Sequence, residues 1–266
     1  MVRVAVAQFA PGLDKDANLA EIRGLVAAAA GHGARVVVLP EFAMFTAPRM
    51  DERFIASAEP VGGPFTEALA ELAGGHGLHV VAGLNERLDD PDRIANTLVA
   101  IAPDGSVAAR YRKLHLYDAF GYRESAHVRA GEIGEPETFT AGGVTFGMQT
   151  CYDVRFPEVT RRIVDAGADV LALPAEWVPG PLKEDHWRTL VRARAIENTI
   201  YVAAADQCGS AGAGHSMIVD PMGVVVAALG EAPGTAAADI DPARITSVRD
   251  RNPALALRRF GVAPLG

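Results

Sequence analysis

The sequence predicts an α/β protein in which two β-sheets pack face to face between outer layers of helices, a four-layer α-β-β-α sandwich. Short β-branched runs alternate with longer alanine-rich stretches of helical period, which is typical of strand-helix-strand units. Both halves of the chain follow the same order of strand, helix, strand, helix and hairpin. A chain of 266 residues with 49% hydrophobic content can bury a core of this size.

The first half predicts the elements of one sheet. In chain order they are strand 2–7, helix 18–30, strand 36–39, helix 66–73, strand 80–84 and strands 97–101 and 106–113. The last two strands are joined at Pro103-Asp104-Gly105, whose Pro and Gly favour a tight turn. We expect this pair to be antiparallel.

The second half predicts the other sheet. In chain order its elements are strand 144–149, helix 157–166, strand 170–173, helix 186–198, strand 200–205 and a hairpin of strands 216–219 and 224–228. No low-complexity linker divides the chain, so we expect one domain over residues 1–266. Past Asp239 the pattern is polar and irregular, and the segment of about 240–266 is expected to pack on a partner subunit.

Composition narrows the class of function. The net charge is -8 and the pI is about 5.4, with no block of like charges, which argues against a nucleic-acid partner or a basic membrane-docking surface. The two cysteines cannot form a disulfide framework, and the N-terminus leads into a strand and not into a signal peptide. No apolar window approaches the ~20 residues that span a bilayer. We expect a cytoplasmic protein that acts on a small molecule.

Three polar residues follow predicted strands, and they suggest the chemistry. Cys151 follows the run 144–149, Glu41 follows 36–39, and Lys113 ends 106–113. Ligands bind at the carboxyl ends of strands in α/β sheets, so the three side chains are expected to converge. Taken singly, each has a structural explanation: a buried cysteine, a helix-capping glutamate, a solvated lysine. Together they supply the nucleophile, proton carrier and oxyanion donor that acyl transfer needs.

The motifs around these residues resemble those of the nitrilase, or carbon-nitrogen hydrolase, superfamily. Residues 39–42 (LPEF) resemble its catalytic glutamate motif, 111–116 (YRKLHL) its lysine motif and 151–158 (CYDVRFPE) its nucleophile motif. Residues 192–198 and 214–223 resemble its scaffold around the pocket. The likeness runs from Val4 nearly to Asp239.

The resemblance implies a Glu-Lys-Cys triad. Cys151 attacks the carbonyl carbon, Glu41 shuttles protons, and Lys113 stabilises the oxyanion together with the backbone amide of Tyr152. Glu124 resembles a second glutamate of family amidases, placed to hold Lys113 and the substrate amide. Lys113 favours the thiolate of Cys151 whereas Glu41 opposes it, so the resting proton distribution stays open at this stage.

Three more residues are candidates for the pocket. Arg155 is expected beside the nucleophile, where it can pair with a substrate carboxylate or with Asp153 or Glu158. Trp177 is expected to form a pocket wall or to pack in the core. Glu176 departs from the small or neutral residue expected after Pro-Ala in close relatives; an extra pocket acid is one interpretation, and a structural ion pair is favoured.

The nucleophile motif most resembles the branch that contains omega-amidase and deaminated glutathione amidase. This predicts an amidase that releases ammonia or an amine from a small, linear, carboxylate-bearing amide, with water as second reactant and no cofactor. N-carbamoyl hydrolysis is the alternative within the superfamily. Nitrile hydrolysis is disfavoured because true nitrilases usually carry Cys-Trp-Glu where this chain has Cys-Tyr-Asp at 151–153. The family likeness also implies a homodimer or higher homo-oligomer.

Rival schemes use other groups. A Cys-His hydrolase would need His115, His186 or His215 as base. Metal-assisted hydrolysis is disfavoured because no paired-Cys or His-x-x-x-His spacing occurs, and no metal is expected. A catalytically silent binding protein on the same fold is the alternative from another class, and the retained triad argues against it.

Overall fold

Two six-stranded sheets form the centre of the computed structural model, which describes residues 1–265. The strands of the first sheet are β1 (Val2–Gln8), β2 (Val36–Val38), β3 (His79–Arg87), β4 (Ile94–Ile101), β5 (Val107–Arg112) and β12 (Gly234–Ile240). The strands of the second sheet are β6 (Thr138–Ala141), β7 (Val144–Met148), β8 (Val170–Ala175), β9 (Tyr201–Asp206), β10 (Met217–Val219) and β11 (Val225–Ala228). The helices are α1 (Lys15–Gly31), α2 (Glu52–Ser57), α3 (Pro64–His76), α4 (Pro157–Asp165), α5 (Lys183–Asn198) and α6 (Pro242–Arg251).

The two sheets share one topology. The first has the order β12-β1-β2-β3-β4-β5 and the second β11-β10-β9-β8-β7-β6. Each has three parallel central strands, β1-β2-β3 and β7-β8-β9, and antiparallel strands at its edges. Strand β12 leaves the second half and pairs with β1 along its whole length. The last strand therefore joins the two halves of the chain.

Successive side chains along a strand point to opposite faces of the sheet, and this alternation separates the core between the sheets from the layers beneath the helices. Val4 and Val6 of β1 lie with Ala203 and Ala205 of β9 in the core between the sheets. The intervening residues of β1, such as Ala5, face outward onto α1 and α3. Outward residues of the second sheet pack against α4 and α5. The four-layer α-β-β-α sandwich predicted from the sequence is confirmed.

Local chemistry sets the helix ends. Asp14 caps α1 by accepting hydrogen bonds from the amides of Asp16 and Ala17. Pro64 and Pro157 begin α3 and α4, where a missing amide proton is harmless. No helix in residues 1–265 is long and apolar enough to cross a membrane.

The C-terminal segment differs from the prediction. The chain past Asp239 is not irregular throughout, because β12 continues to Ile240 and α6 follows. Asp241 accepts a hydrogen bond from the amide of Ala243 and so caps α6, while Ile245 and Val248 are buried one turn apart. Two apolar positions are too few to give a helical period, which is why the pattern was missed. Helix α2 and strand β6 were also not predicted, because both are short. Strand β12 was not predicted either, because its run of alanines gives no alternating apolar pattern.

Candidate active site

Glu41, Lys113 and Cys151 lie together at the ends of their strands. Glu41 follows β2 by way of Leu39 and Pro40, Lys113 directly follows β5, and Cys151 follows β7. Their exposed fractions are 1%, 2% and 6%. All three line one cavity of about 580 Å³. The structure thus brings together the three residues that the sequence singled out.

Cys151 has an unusual backbone. Its φ is +45°, in the left-handed region that residues with a side chain rarely adopt, and it begins a short 3₁₀ turn that ends at Arg155. The thiol donates a hydrogen bond to the carbonyl oxygen of Glu176, 3.4 Å away. Burial and the charge of Glu41 raise the pKa of the Cys151 thiol well above its usual value, and the charge of Lys113 only partly opposes them. Both effects favour the neutral thiol over the thiolate.

The Glu41 carboxylate is fixed by three donors. Oε1 accepts from Lys113 Nζ at 2.9 Å and from Asn96 Nδ2 at 2.6 Å, and Oε2 accepts from the amide of Glu176 at 2.7 Å. Close packing supports the loop, since a Cβ on Gly83 would stand 2.5 Å from the nitrogen of Phe42. Glycine at position 83 therefore allows β3 to approach the backbone that carries Glu41.

Glu124 lies on the other side of Lys113. Its Oε2 is 2.9 Å from Lys113 Nζ, and its Oε1 accepts from Asn96 Nδ2 at 3.0 Å. The amide of Tyr117 donates to Oε2 at 2.6 Å. Burial alone would lower the pKa of Lys113, but the charges of Glu124 and Glu41 outweigh it and hold that pKa well above its usual value. Lys113 is a permanent cation between two carboxylates.

Glu176 follows β8 and lines the same cavity. Its backbone contacts Glu41 and Cys151, as described above, whereas its carboxyl makes no hydrogen bond or ion pair with any residue in 1–265. Burial and then the charge of Glu41 raise the pKa of this carboxyl well above its usual range. The favoured interpretation, a structural ion pair, is wrong, because this carboxyl makes no ion pair within residues 1–265 and Lys113, the cation whose charge acts on it, contacts Glu41 and Glu124.

The side chains of Tyr152, Arg155 and Trp177 pack against one another and against neighbouring aromatic rings. The Tyr152 ring packs edge-on against Tyr117 at 5.0 Å. The Arg155 guanidinium lies 4.8 Å from the centre of the Trp177 ring, and Trp177 is 1% exposed. Arg155 makes no ion pair with Asp153 or Glu158 in residues 1–265, and among the described residues these three side chains do not line the cavity.

Sequence reasoning missed several residues at the site. Asn96 joins Glu41 to Glu124, and the signal was a buried polar residue inside the wholly buried strand β4. Tyr117 lines the cavity, and its hydroxyl accepts from Lys183 Nζ at 3.1 Å. Arg49 and Arg123 line the exposed side of the cavity, where neither makes an ion pair within residues 1–265.

The histidines of the Cys-His scheme have other partners. His115 Nδ1 is 2.8 Å from Asp153 Oδ1, and its ring stacks on Phe156. His186 contacts Arg155, and His215 contacts Arg188. None of these three histidines is among the described residues that line the cavity with Cys151. Within residues 1–265 no group of His, Cys, Asp or Glu side chains is arranged to hold a metal ion.

The fold agrees with that of solved nitrilase-type structures. The C. elegans NitFhit protein matches with a TM-score of 0.88 and 33% identity over 97% of this chain, which spans 65% of the NitFhit chain. An amidase from Nesterenkonia sp. AN1, solved with an acetamide moiety attached at its active-site cysteine, matches with a TM-score of 0.79 and 28% identity over 96% of this chain and 95% of that one.

A curated relative matches almost end to end. The deaminated glutathione amidase of Escherichia coli O157:H7 is 39% identical over 257 residues, which is 97% of both chains. The family model of carbon-nitrogen hydrolase matches residues 3–250. The protein belongs to the carbon-nitrogen hydrolase family, within the nitrilase superfamily, as the motifs in the sequence indicated.

Proposed function

We propose that the protein is an amidase that cleaves the C–N bond of a small, linear, carboxylate-bearing amide through an acyl-enzyme on Cys151. The observation that carries this proposal is the meeting of Glu41, Lys113 and Cys151 in one cavity. The identity of the E. coli relative as a deaminated glutathione amidase supports an amide as substrate, and the Nesterenkonia adduct supports a cysteine nucleophile.

The chemistry begins with a neutral thiol beside a carboxylate. Glu41 takes the proton of Cys151 as the sulfur attacks the carbonyl carbon, so a thiolate does not need to be stored. Lys113 and the Tyr152 amide hold the oxyanion of the tetrahedral intermediate. When that intermediate collapses, the leaving nitrogen takes the proton from Glu41 and departs as ammonia or an amine.

Water completes the cycle. Glu41, again a carboxylate, takes a proton from water as the oxygen attacks the thioester carbon. Collapse of the second tetrahedral intermediate breaks the C–S bond, releases the acid and returns the proton to sulfur. Glu124 keeps Lys113 in place throughout, because its carboxylate contacts Nζ from the side opposite Glu41.

The cavity supports a carboxylate on the substrate. Glu41, Lys113, Glu124 and Cys151 are buried, whereas Arg49 and Arg123 are exposed and free of ion pairs in residues 1–265. Two guanidinium groups at the open side suit an anion at the far end of a substrate whose amide lies against Cys151. The proposed substrate is therefore a linear molecule with the amide at one end and a carboxylate at the other.

An ammonia-release screen tests the function. Wild type and Cys151→Ala are incubated with omega-amides, deaminated glutathione, N-carbamoyl amino acids and nitriles, and ammonia is measured. Ammonia from an amide with wild type alone, together with a mass increase on Cys151, is the expected result. Activity that survives in Cys151→Ala would contradict the thiol mechanism, and activity on carbamoyl compounds alone would favour the alternative reaction.

We also propose a homo-oligomer in the cytoplasm. Leu257 and Phe260 in the C-terminal segment are 71% and 90% exposed, and apolar side chains this accessible suit burial against a second copy. Light scattering of the full chain should give at least a dimer, and Phe260→Asp should lower that mass. A monomer in wild type would contradict the proposal.

A further inference from the structure

Glu176 holds the one carboxyl in the cavity that has no partner. The carboxylates of Glu41 and Glu124 each contact Lys113 and Asn96, but the Glu176 carboxyl contacts no donor or acceptor in residues 1–265. It is partly exposed, and the surface that it faces is the cavity. Its carbonyl oxygen is 3.4 Å from the sulfur of Cys151. The carboxyl is therefore available to a bound molecule close to the reacting thiol.

The surrounding charges disfavour an ionised Glu176. From β2 and the turn after it comes Glu41, from the 3₁₀ turn after β5 comes Glu124, and from β9 comes the buried Asp206. Lys113 is the cation that faces this group, and it is already shared by Glu41 and Glu124. A further negative charge here would be buried without a cation of its own, which is costly.

Protonation removes that cost and changes what Glu176 can do. The raised pKa of its carboxyl, caused first by burial and then by Glu41, agrees with a neutral acid at neutral pH. A carboxylate only accepts hydrogen bonds, whereas a carboxylic acid also donates one through its O–H. Glu176 would then be the donor in a cavity whose other two carboxyl groups are acceptors.

We propose that Glu176, as a neutral carboxylic acid, is a specificity-determining residue that donates a hydrogen bond to an oxygen of the substrate next to the scissile amide. This inference rests on the proposed amidase function. The fitting substrates carry a carbonyl, hydroxyl or carboxylate oxygen on the acyl chain near the amide.

Two substitutions of Glu176 test whether its carboxyl acts as a hydrogen-bond donor or as a negative charge. Glu176→Gln keeps a donor at every pH, whereas Glu176→Ala removes it. With the best amide from the screen, we expect Glu176→Ala to lower kcat/KM about 10- to 100-fold, as the loss of one buried hydrogen bond does. Glu176→Gln should stay within a few-fold of wild type, and Glu67→Gln, the same change on the exposed first turn of α3, should have no effect.

The pH dependence of kcat/KM distinguishes a proton donor from a structural residue, because a purely structural Glu176 would not set the alkaline limb. In wild type, kcat/KM falls as the pH rises and Glu176 loses the proton that it donates. Glu176→Gln should shift that alkaline limb to higher pH or remove it. The inference is overturned if Glu176→Ala retains full activity, if Glu176→Gln is as slow as Glu176→Ala, or if the alkaline limb does not shift.

A spectroscopic measurement keeps the inference independent of the proposed function. The infrared difference spectrum of wild type minus Glu176→Gln at neutral pH should contain the C=O stretch of a protonated carboxyl. A carboxylate signal in its place overturns the inference even when the enzyme is active. If wild type releases no ammonia from any amide, the proposed function fails while the infrared result still reports on Glu176.

Discussion

Lys113 Nζ lies 2.9 Å from Glu41 Oε1, and this buried contact joins residues 72 positions apart in the chain. Glu124 Oε2 is equally close to the same nitrogen. One cation therefore neutralises two carboxylates inside the protein. Removing one member of such a cluster leaves charges that are buried without a partner.

Lys113→Met should affect stability and catalysis together. Glu41 and Glu124 would face each other without a cation, so we expect unfolding to become easier by about 3–5 kcal/mol. The lost oxyanion donor should lower kcat about 10²- to 10³-fold. Urea unfolding and ammonia release measure the two effects. Arg23→Met removes an exposed cation whose partner, Glu71, is 74% exposed, so it should cost about 1 kcal/mol or less. Equal losses in both variants would contradict this account.

The thiol of Cys151 should react slowly with iodoacetamide at neutral pH. Its raised pKa keeps it protonated, so the alkylation rate should climb with pH through a midpoint above that of a free cysteine. Glu41→Gln removes a charge that raises this pKa, so we expect faster alkylation at a given pH although turnover falls. The assay uses a Cys208→Ser background, because Cys208 is the second free thiol. Slower alkylation in Glu41→Gln would show that Glu41 does not oppose the thiolate.

Asn96→Asp should disrupt the cluster from its centre. It would put a third carboxylate where Asn96 Nδ2 now lies, 2.6 Å from Glu41 Oε1 and 3.0 Å from Glu124 Oε1. We expect kcat to fall by about 10²-fold or more, since repulsion displaces Glu41, and to recover partly as falling pH protonates the introduced carboxyl. Asn252→Asp, at an exposed position after α6, is the matched control. A pH profile identical to wild type would contradict the role of Asn96.

The contrast between Glu41 and Asn96 shows what the sequence reveals. Glu41, Lys113 and Cys151 stand immediately after apolar runs, and strand ends of an α/β sheet converge, so their meeting was predictable. Asn96 acts from inside β4, and its place beside Lys113 depends on the antiparallel register of β4 with β5. A register between strands is set by packing over the whole sheet. No local pattern around Asn96 contains that information.

The secondary-structure elements also differ in how far the local sequence predicts them. Apart from β12, strands and helices with several apolar positions were predicted to within a few residues of their ends. Helix α6 was not, because only Ile245 and Val248 of its ten residues are buried. Local sequence also could not predict that the Glu176 carboxyl forms no ion pair. That outcome depends on Lys113, which already contacts Glu41 and Glu124.

Arg49→Met and Arg123→Met should weaken binding of the carboxylate end. We expect the KM of a carboxylate-bearing amide to rise about tenfold for each variant, the effect of one lost charge-assisted hydrogen bond, with little change in kcat. The KM of an uncharged amide of equal length should not change. Arg259→Met, an exposed position away from the cavity, is the control. Equal KM increases for charged and uncharged amides would mean that these arginines shape the cavity and do not bind the anion.

Gly83→Ala should show how tightly β3 supports Glu41. The added Cβ would stand 2.5 Å from the nitrogen of Phe42 and 2.8 Å from the Cα of Glu41, so the backbone that carries Glu41 must move. A shift of about 1 Å at a reacting group can cost about 10²-fold in rate. We therefore expect a large fall in kcat together with a lower urea midpoint.

Gly24→Ala is the matched control for this substitution. Nothing lies within 4 Å of a Cβ at Gly24, which is inside α1, so the extra methyl should stabilise the helix by about 0.5–1 kcal/mol and leave kcat unchanged. The two variants add the same atom and differ only in what it meets. If Gly83→Ala retains full activity, the loop of Glu41 tolerates displacement, and rigid placement of that carboxylate is not what catalysis requires.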